Sequence, residues 1–90
     1  MAKKRERLEV IYDILKAVSD SSNSVKPTRL LYNSNLSPQM FKDYIGELVE
    51  KGFLSEEAED GKRRYSLTDK GYEYLNKYKV IVEFIEGFGL

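Results

Sequence analysis

The stretch that decides the fold is Leu36–Gly71, LSPQMFKDYIGELVEKGFLSEEAEDGKRRYSLTDKG. It opens on Ser37-Pro38, a serine N-cap followed by proline at the first helical position, where a missing N–H is no loss. Phe41, Ile45 and Leu48 recur at spacings of four and three, which marks one face of a helix from about Pro38 to Lys51. Gly52 is its stop. Asp60-Gly61 favours a two-residue type I′ hairpin turn. That turn predicts a hairpin over about 53–67 in which Glu59 faces Lys62, Ala58 faces Arg63, Glu57 faces Arg64, Glu56 faces Tyr65 and Leu54 faces Leu67. Alternation puts Leu54, Tyr65 and Leu67 on the face that closes over the helices. It stacks Glu59–Lys62 and Glu57–Arg64 as opposite-charge pairs on the other face. Thr68 caps a last helix, about Asp69 to Glu86, with Asp69 well placed in its first turn. Gly71 sits in that turn despite a helix cost of about 1 kcal/mol. Close approach of another backbone is the expected reason.

Working outward, Leu8, Ile11, Leu15 and Val18 form one helical row and Val10, Ile14 and Ala17 an adjacent one, predicting a helix from about Lys4 to Val18. Residues 19–24 are a polar loop. Val25 suits a very short strand, and Pro27 begins a short helix to about Tyr32 that turns Leu30 and Leu31 inward. Asn33 and Asn35 tolerate the left-handed conformation that ends a helix. The last helix carries two adjoining apolar seams, Tyr74–Tyr78–Ile81–Ile85–Phe88 and Leu75–Tyr78–Val82–Ile85. Together with the second row of the first helix, this exceeds what one small core needs. The excess predicts a homodimer with Leu8, Ile11, Tyr74, Tyr78, Ile81, Ile85 and Phe88 at its interface.

Composition narrows the chemistry. Ninety residues make one small domain, residues 1–90. There is no cysteine, so no disulfide and no thiolate metal site, and no histidine, which removes the usual general base and metal ligand. No enzyme, cofactor, metal or small-molecule ligand is expected. Glu56–Gly61 lacks the alternating ligand spacing of an EF-hand loop. Fifteen basic and fifteen acidic residues cancel, but residues 1–7 carry +3 and residues 26–51 carry +1. No apolar run approaches the roughly 20 residues of a membrane span. A cytoplasmic, nucleoid-associated protein is the expectation.

Helix, short helix, capped helix, hairpin and helix, in that order, spell a winged helix-turn-helix: mainly α with a β-hairpin wing (α+β). Thr28–Tyr32 through Asn35-Leu36-Ser37, then Tyr44, Leu48 and Gly52-Phe53-Leu54, resemble the archaeal winged-helix regulators with a long C-terminal helix. Tyr65–Gly71 followed by Leu75 resembles that family's strand-to-helix junction. AKKRERLEVIYDIL, at residues 2–15, resembles the small archaeal chromatin-associated members, which dimerise through an antiparallel coiled coil. The resemblance implies a homodimer that binds double-stranded DNA. Two features depart from the family pattern. Pro38, Gln39 and Asp43 stand where the recognition helix often carries cations and an aromatic, and the last helix is short for a long coiled coil.

On this reading the third helix turns Ser37, Gln39, Met40, Lys42, Asp43 and Gly46 toward the major groove. Gln39 suits adenine, Lys42 guanine or phosphate, and Ser37 phosphate. Arg63 and Arg64 are wing candidates for a narrow minor groove. Lys26 and Arg29 are phosphate contacts, and Lys3, Lys4 and Arg5, with Arg7, form a basic arm. The expected role is a sequence-specific transcriptional regulator. A nucleoid-architectural binder or a winged-helix protein-interaction module is the alternative. Charge neutrality argues against tight indiscriminate coating.

Overall fold

The structure, a computed structural model, describes residues 2–21 and 24–89; the side chains of residues 2–6 and of Glu59 lie outside the description. The elements are α1 (Ala2–Asp20), α2 (Pro27–Ser34), α3 (Pro38–Glu50), β1 (Leu54–Glu59), β2 (Lys62–Leu67) and α4 (Asp69–Gly87). The hairpin carries the register its turn dictates, from Leu54 opposite Leu67 to Glu59 opposite Lys62. Asp60 and Gly61 both have positive φ, 55° and 75°, as a type I′ turn requires. Val25 adds a one-residue bridge on the free edge of β2, exchanging two hydrogen bonds with Tyr65 at 3.1 and 2.9 Å.

The helix ends follow local chemistry. The Ser37 hydroxyl accepts from the Met40 N–H at 3.2 Å, and Asn35 adopts φ 60° beyond α2. α3 ends in a Schellman arrangement: Phe53 N–H donates to Leu48 O at 2.8 Å and Gly52 N–H to Val49 O at 3.1 Å, with Gly52 at φ 83°. Lys70 donates to the Lys51 carbonyl at 2.7 Å and lies over the Phe53 ring, covering the negative end of α3 with a cation.

The core comprises Ile11, Ile14, Leu15 and Val18 of α1, Leu30 of α2, Phe41, Ile45 and Leu48 of α3, and Leu54, Tyr65 and Leu67 of the wing, with Val25. Apart from Leu8, which is exposed, both apolar rows of α1 therefore serve the chain's own core, with Val10 and Ala17 packed at its edge. Gly71 is explained here. A Cβ at that position would collide with the Phe53 carbonyl oxygen and meet Leu67 Cδ2 at 3.1 Å. The Thr68 hydroxyl accepts from Gly71 N–H at 3.1 Å and donates to the Gly52 carbonyl, so this junction locks α4 to the end of α3.

α4 is 19 residues long, about 28 Å at helical rise. Its first half packs on α1 and the wing root. Tyr74 meets Phe53 edge-on at 5.7 Å, Tyr78 stacks on Tyr12 at 4.7 Å, and the Tyr74 hydroxyl donates to the Leu8 carbonyl at 2.8 Å. Its second half leaves Val80, Ile81, Phe84 and Phe88 exposed, in a molecule that measures 49 × 26 × 21 Å overall.

Candidate nucleic-acid interface

α3 is held by its apolar face, Phe41, Ile45 and Leu48, all buried. That anchoring turns Gln39, Met40, Lys42, Asp43 and Gly46 outward together, with Ser37 at the N-cap. Three of these groups, Gln39, Asp43 and Ser37, are already engaged within the helix. The Gln39 side-chain amide donates to an Asp43 carboxylate oxygen at 3.0 Å, one turn along. One N–H and the carbonyl oxygen of Gln39 remain free, the donor–acceptor pair that matches an adenine edge. The Ser37 oxygen is committed to the cap, which leaves its O–H to donate.

The two wing arginines part company. Arg63 lies on the inner face of the hairpin and pairs with Glu56 at 3.2 Å, beside α3. Arg64 lies on the outer face and donates to the Ser24 hydroxyl at 3.1 Å. The expected Glu57–Arg64 pair is thus replaced by these two contacts, and the expected Glu59–Lys62 pair lies outside the described side chains. Long side chains choose partners from neighbouring elements, not only from the residue across the ladder. Arg64, Lys26 and Arg29 gather around a polar depression at the start of α2, which also holds Asp20, Ser21 and Ser24. Of the basic amino end, Lys3, Lys4 and Arg5 lie on the backbone of α1, with their side chains outside the description. Arg7 does not extend an arm. It pairs with Glu47 of α3 and lies over the Tyr44 ring at 5.8 Å. The Glu47 carboxyl is held below the usual carboxylate range, first by Lys51 at 2.9 Å and then by Arg7.

The residues expected at a dimer surface separate too. Ile11 is 6% exposed and belongs to the core. Tyr74 and Tyr78 are half-buried within the chain. Leu8, Tyr78, Ile81 and Ile85 line an open groove between α1 and α4. Beyond it, Val80, Ile81, Phe84 and Phe88 are 63%, 52%, 60% and 70% exposed, with the Phe84 and Phe88 rings 4.9 Å apart. Val80 and Phe84 escape the two seams read from sequence. Val80, Phe84 and Phe88 at successive spacings of four were the signal for them. Tyr32, 85% exposed on α2, was likewise visible only as one aromatic on a short polar helix.

Among the described residues no polar or charged side chain is buried, and no acidic cluster could hold a metal ion. No helix among them is long and apolar enough to cross a membrane.

A helix-turn-helix whose second helix is anchored by one face and free on the other, followed by a hairpin, defines a winged-helix architecture. The chain belongs to the winged helix-turn-helix family, whose model matches residues 4–86. It is 35% identical over 82 residues to the uncharacterized protein MJ0290 of Methanocaldococcus jannaschii, covering 91% of this chain and 36% of that protein. It therefore spans about a third of that relative's length. Its fold is similar to Sso10a-2, a DNA-binding protein from Sulfolobus solfataricus, with TM-score 0.75 and 22% identity over 90% of this chain and 82% of that one. It is also similar to Sco5413, a MarR family transcriptional regulator from Streptomyces coelicolor, with TM-score 0.76 and 16% identity over 90% of this chain and 64% of that one. At these identities the likeness is one of fold.

Proposed function

We propose that this chain is a dimeric, sequence-specific binder of duplex DNA, a transcriptional regulator and not an enzyme. The observation that carries the reading is the solvated polar face of α3, Gln39, Met40, Lys42 and Asp43, flanked by cations of α2 and the wing. Gln39 offers adenine its free N–H and carbonyl oxygen, and Lys42 reaches guanine or phosphate. Lys26, Arg29 and Arg64 converge where a phosphate backbone flanking the groove would pass. Ser37 donates to phosphate, Arg63 serves the groove between α3 and the wing, and Lys3, Lys4 and Arg5 add a second source of phosphate affinity. Similar solved structures described as a DNA-binding protein and a transcriptional regulator support this choice.

The homodimer forms through the free end of α4. Ile81, Phe84, Ile85 and Phe88, with Leu8 of α1 and Val80, are too contiguous an apolar surface to be left in water. A two-fold axis there presents two copies of α3 to half-sites about one helical turn, or a multiple of it, apart. Regulation is then by occupancy in the cytoplasm.

The test is fluorescence anisotropy over a salt series, with generic duplex and with selected sites. Salt-sensitive, site-selective binding that weakens in the Gln39→Ala, Lys42→Ala double variant is expected. Absence of binding to any duplex at low salt would refute the reading and favour a protein-interaction role.

A further inference from the structure

A helix discriminates between sites only if its reading row is held to within roughly 0.5 Å and roughly 10–20°. The apolar face of α3, Phe41, Ile45 and Leu48, is buried in the core, but packed helices still slide past one another by small shear motions. The Ser37 cap, the Gln39–Asp43 bond and the Lys51–Glu47 bond are local to α3 and leave its setting in the molecule open. Glu47 also bonds outside the helix, to Arg7 of α1, 40 residues away in sequence. It lies one turn beyond Asp43 and two beyond Gln39 on the same row, about 12 Å along the axis from Gln39.

Arg7 is held from two sides. Its guanidinium pairs with Glu47 and lies over the Tyr44 ring at 5.8 Å, so it grips two residues about one turn apart on α3. The next residue, Leu8, accepts the Tyr74 hydroxyl of α4 on its carbonyl at 2.8 Å, which fixes this turn of α1. The planar fork of arginine sets direction as well as distance, which an ammonium does not. The Arg7 and Glu47 side chains are 43% and 26% exposed. A pair so open to water adds little to stability; what it supplies is orientation. On the reading of α3 as the DNA-facing helix, we propose that Arg7 is a positioning residue for sequence recognition. Through Glu47 and Tyr44 it fixes the slide and rotation of α3 against α1, and it touches no DNA itself. Its charge is balanced by Glu47, so Arg7 acts on selectivity and not on phosphate affinity.

The experiment compares Arg7→Met, Glu47→Ala and the double variant in the full chain. Anisotropy on generic and on selected duplex across a salt series is read beside thermal denaturation. All three variants should melt within about 5 °C of the parent, because an exposed pair holds little of the fold. Affinity for the selected duplex should fall about fivefold in each single variant and no further in the double, while generic affinity changes less than about twofold. The two single variants change the charge in opposite directions. Were Arg7 a phosphate contact, its loss would weaken generic and selected binding alike and flatten the salt slope by about 1, and loss of Glu47 would strengthen both. Equal losses of selected-site affinity from opposite changes of charge belong to a positioning pair. Glu47→Ala that binds the selected duplex as well as the parent, or better, overturns the proposal, and so does a loss in Arg7→Met shared equally by generic duplex. A melting point lower by more than about 15 °C in either single variant makes the pair a structural element and overturns it too. These outcomes leave the α3 reading standing, whereas failure of the parent to bind any duplex overturns both.

Discussion

Replacing Gly71 by alanine tests the junction that joins the wing to α4. Propensity alone favours the change by about 1 kcal/mol. The structure opposes it, because the new methyl would lie inside the contact distance of the Phe53 carbonyl oxygen and 3.1 Å from Leu67 Cδ2. The oxygen belongs to backbone and cannot swing away. Phe53 O also accepts from Thr68 N–H at 3.3 Å, so a shift would stretch that bond and the Thr68 cap with it. Overpacking of this kind costs about 1–3 kcal/mol, and a disturbed cap about 1 kcal/mol more. Set against the propensity gain, the net is a destabilisation of about 1–3 kcal/mol. For a domain this small, each kcal/mol moves the midpoint by about 4–8 °C, so a drop of about 5–20 °C is expected. Thermal denaturation followed by circular dichroism measures it, at fixed protein concentration because any self-association would make the midpoint concentration-dependent. A midpoint equal to or above that of the parent would refute the steric account. The same substitution at Gly46 should move the midpoint the other way, so one chemical change with opposite signs at two helical glycines separates packing from propensity.

Three further outcomes are expected. Phe84→Asp places a charge on the free face of α4 and should weaken self-association at least about tenfold while leaving the monomer folded; sedimentation velocity across a concentration series reads this. Asp43→Asn removes a negative charge from the outward face of α3, so affinity for generic duplex should rise about threefold to tenfold and selectivity should fall; an unchanged ratio of generic to selected binding would show that Asp43 faces no phosphate. The Tyr74 phenol is pushed up from 10.0 to about 12, first by burial and then by Tyr78, against the opposing charge of Arg7. Because the folded value is the higher one, its contribution to stability is complete below about pH 10 and is lost as the pH rises toward 12. Tyr74→Phe should remove that part of the alkaline loss, as seen in urea denaturation at about pH 9 and about pH 11.5, at a small cost near neutrality from the lost bond to Leu8.

Much of the architecture was legible because its signals are local. Ser37-Pro38 can only open a helix efficiently, Gly52 closes it, and Asp60-Gly61 sets a turn whose geometry dictates all six cross-strand pairs. The outward face of α3 follows from the Phe41–Ile45–Leu48 spacing by geometry alone. What was not legible depends on which elements meet. Ile11 reads as one residue of an apolar row. Its burial comes from the elements that close over α1 in the folded core. The separation of Arg63 from Arg64 is implied by strand alternation, but their partners, Glu56 and Ser24, follow from how the hairpin sits between α3 and the Val25 bridge.

By itself the sequence determined the order of elements, their caps and turns, the hairpin register and the polar face of the third helix. Each of these is settled by backbone sterics and hydrogen bonding within a few residues. The tertiary structure alone decided that Arg7 serves α3 and not an arm, that Gly71 admits a neighbouring carbonyl while Gly46 admits nothing of the chain, and that the apolar excess of α4 lies in its second half. Such facts depend on which atoms are brought together across eighteen residues of chain (Gly71 and Phe53) to forty (Arg7 and Glu47), and burial is a property of that whole arrangement.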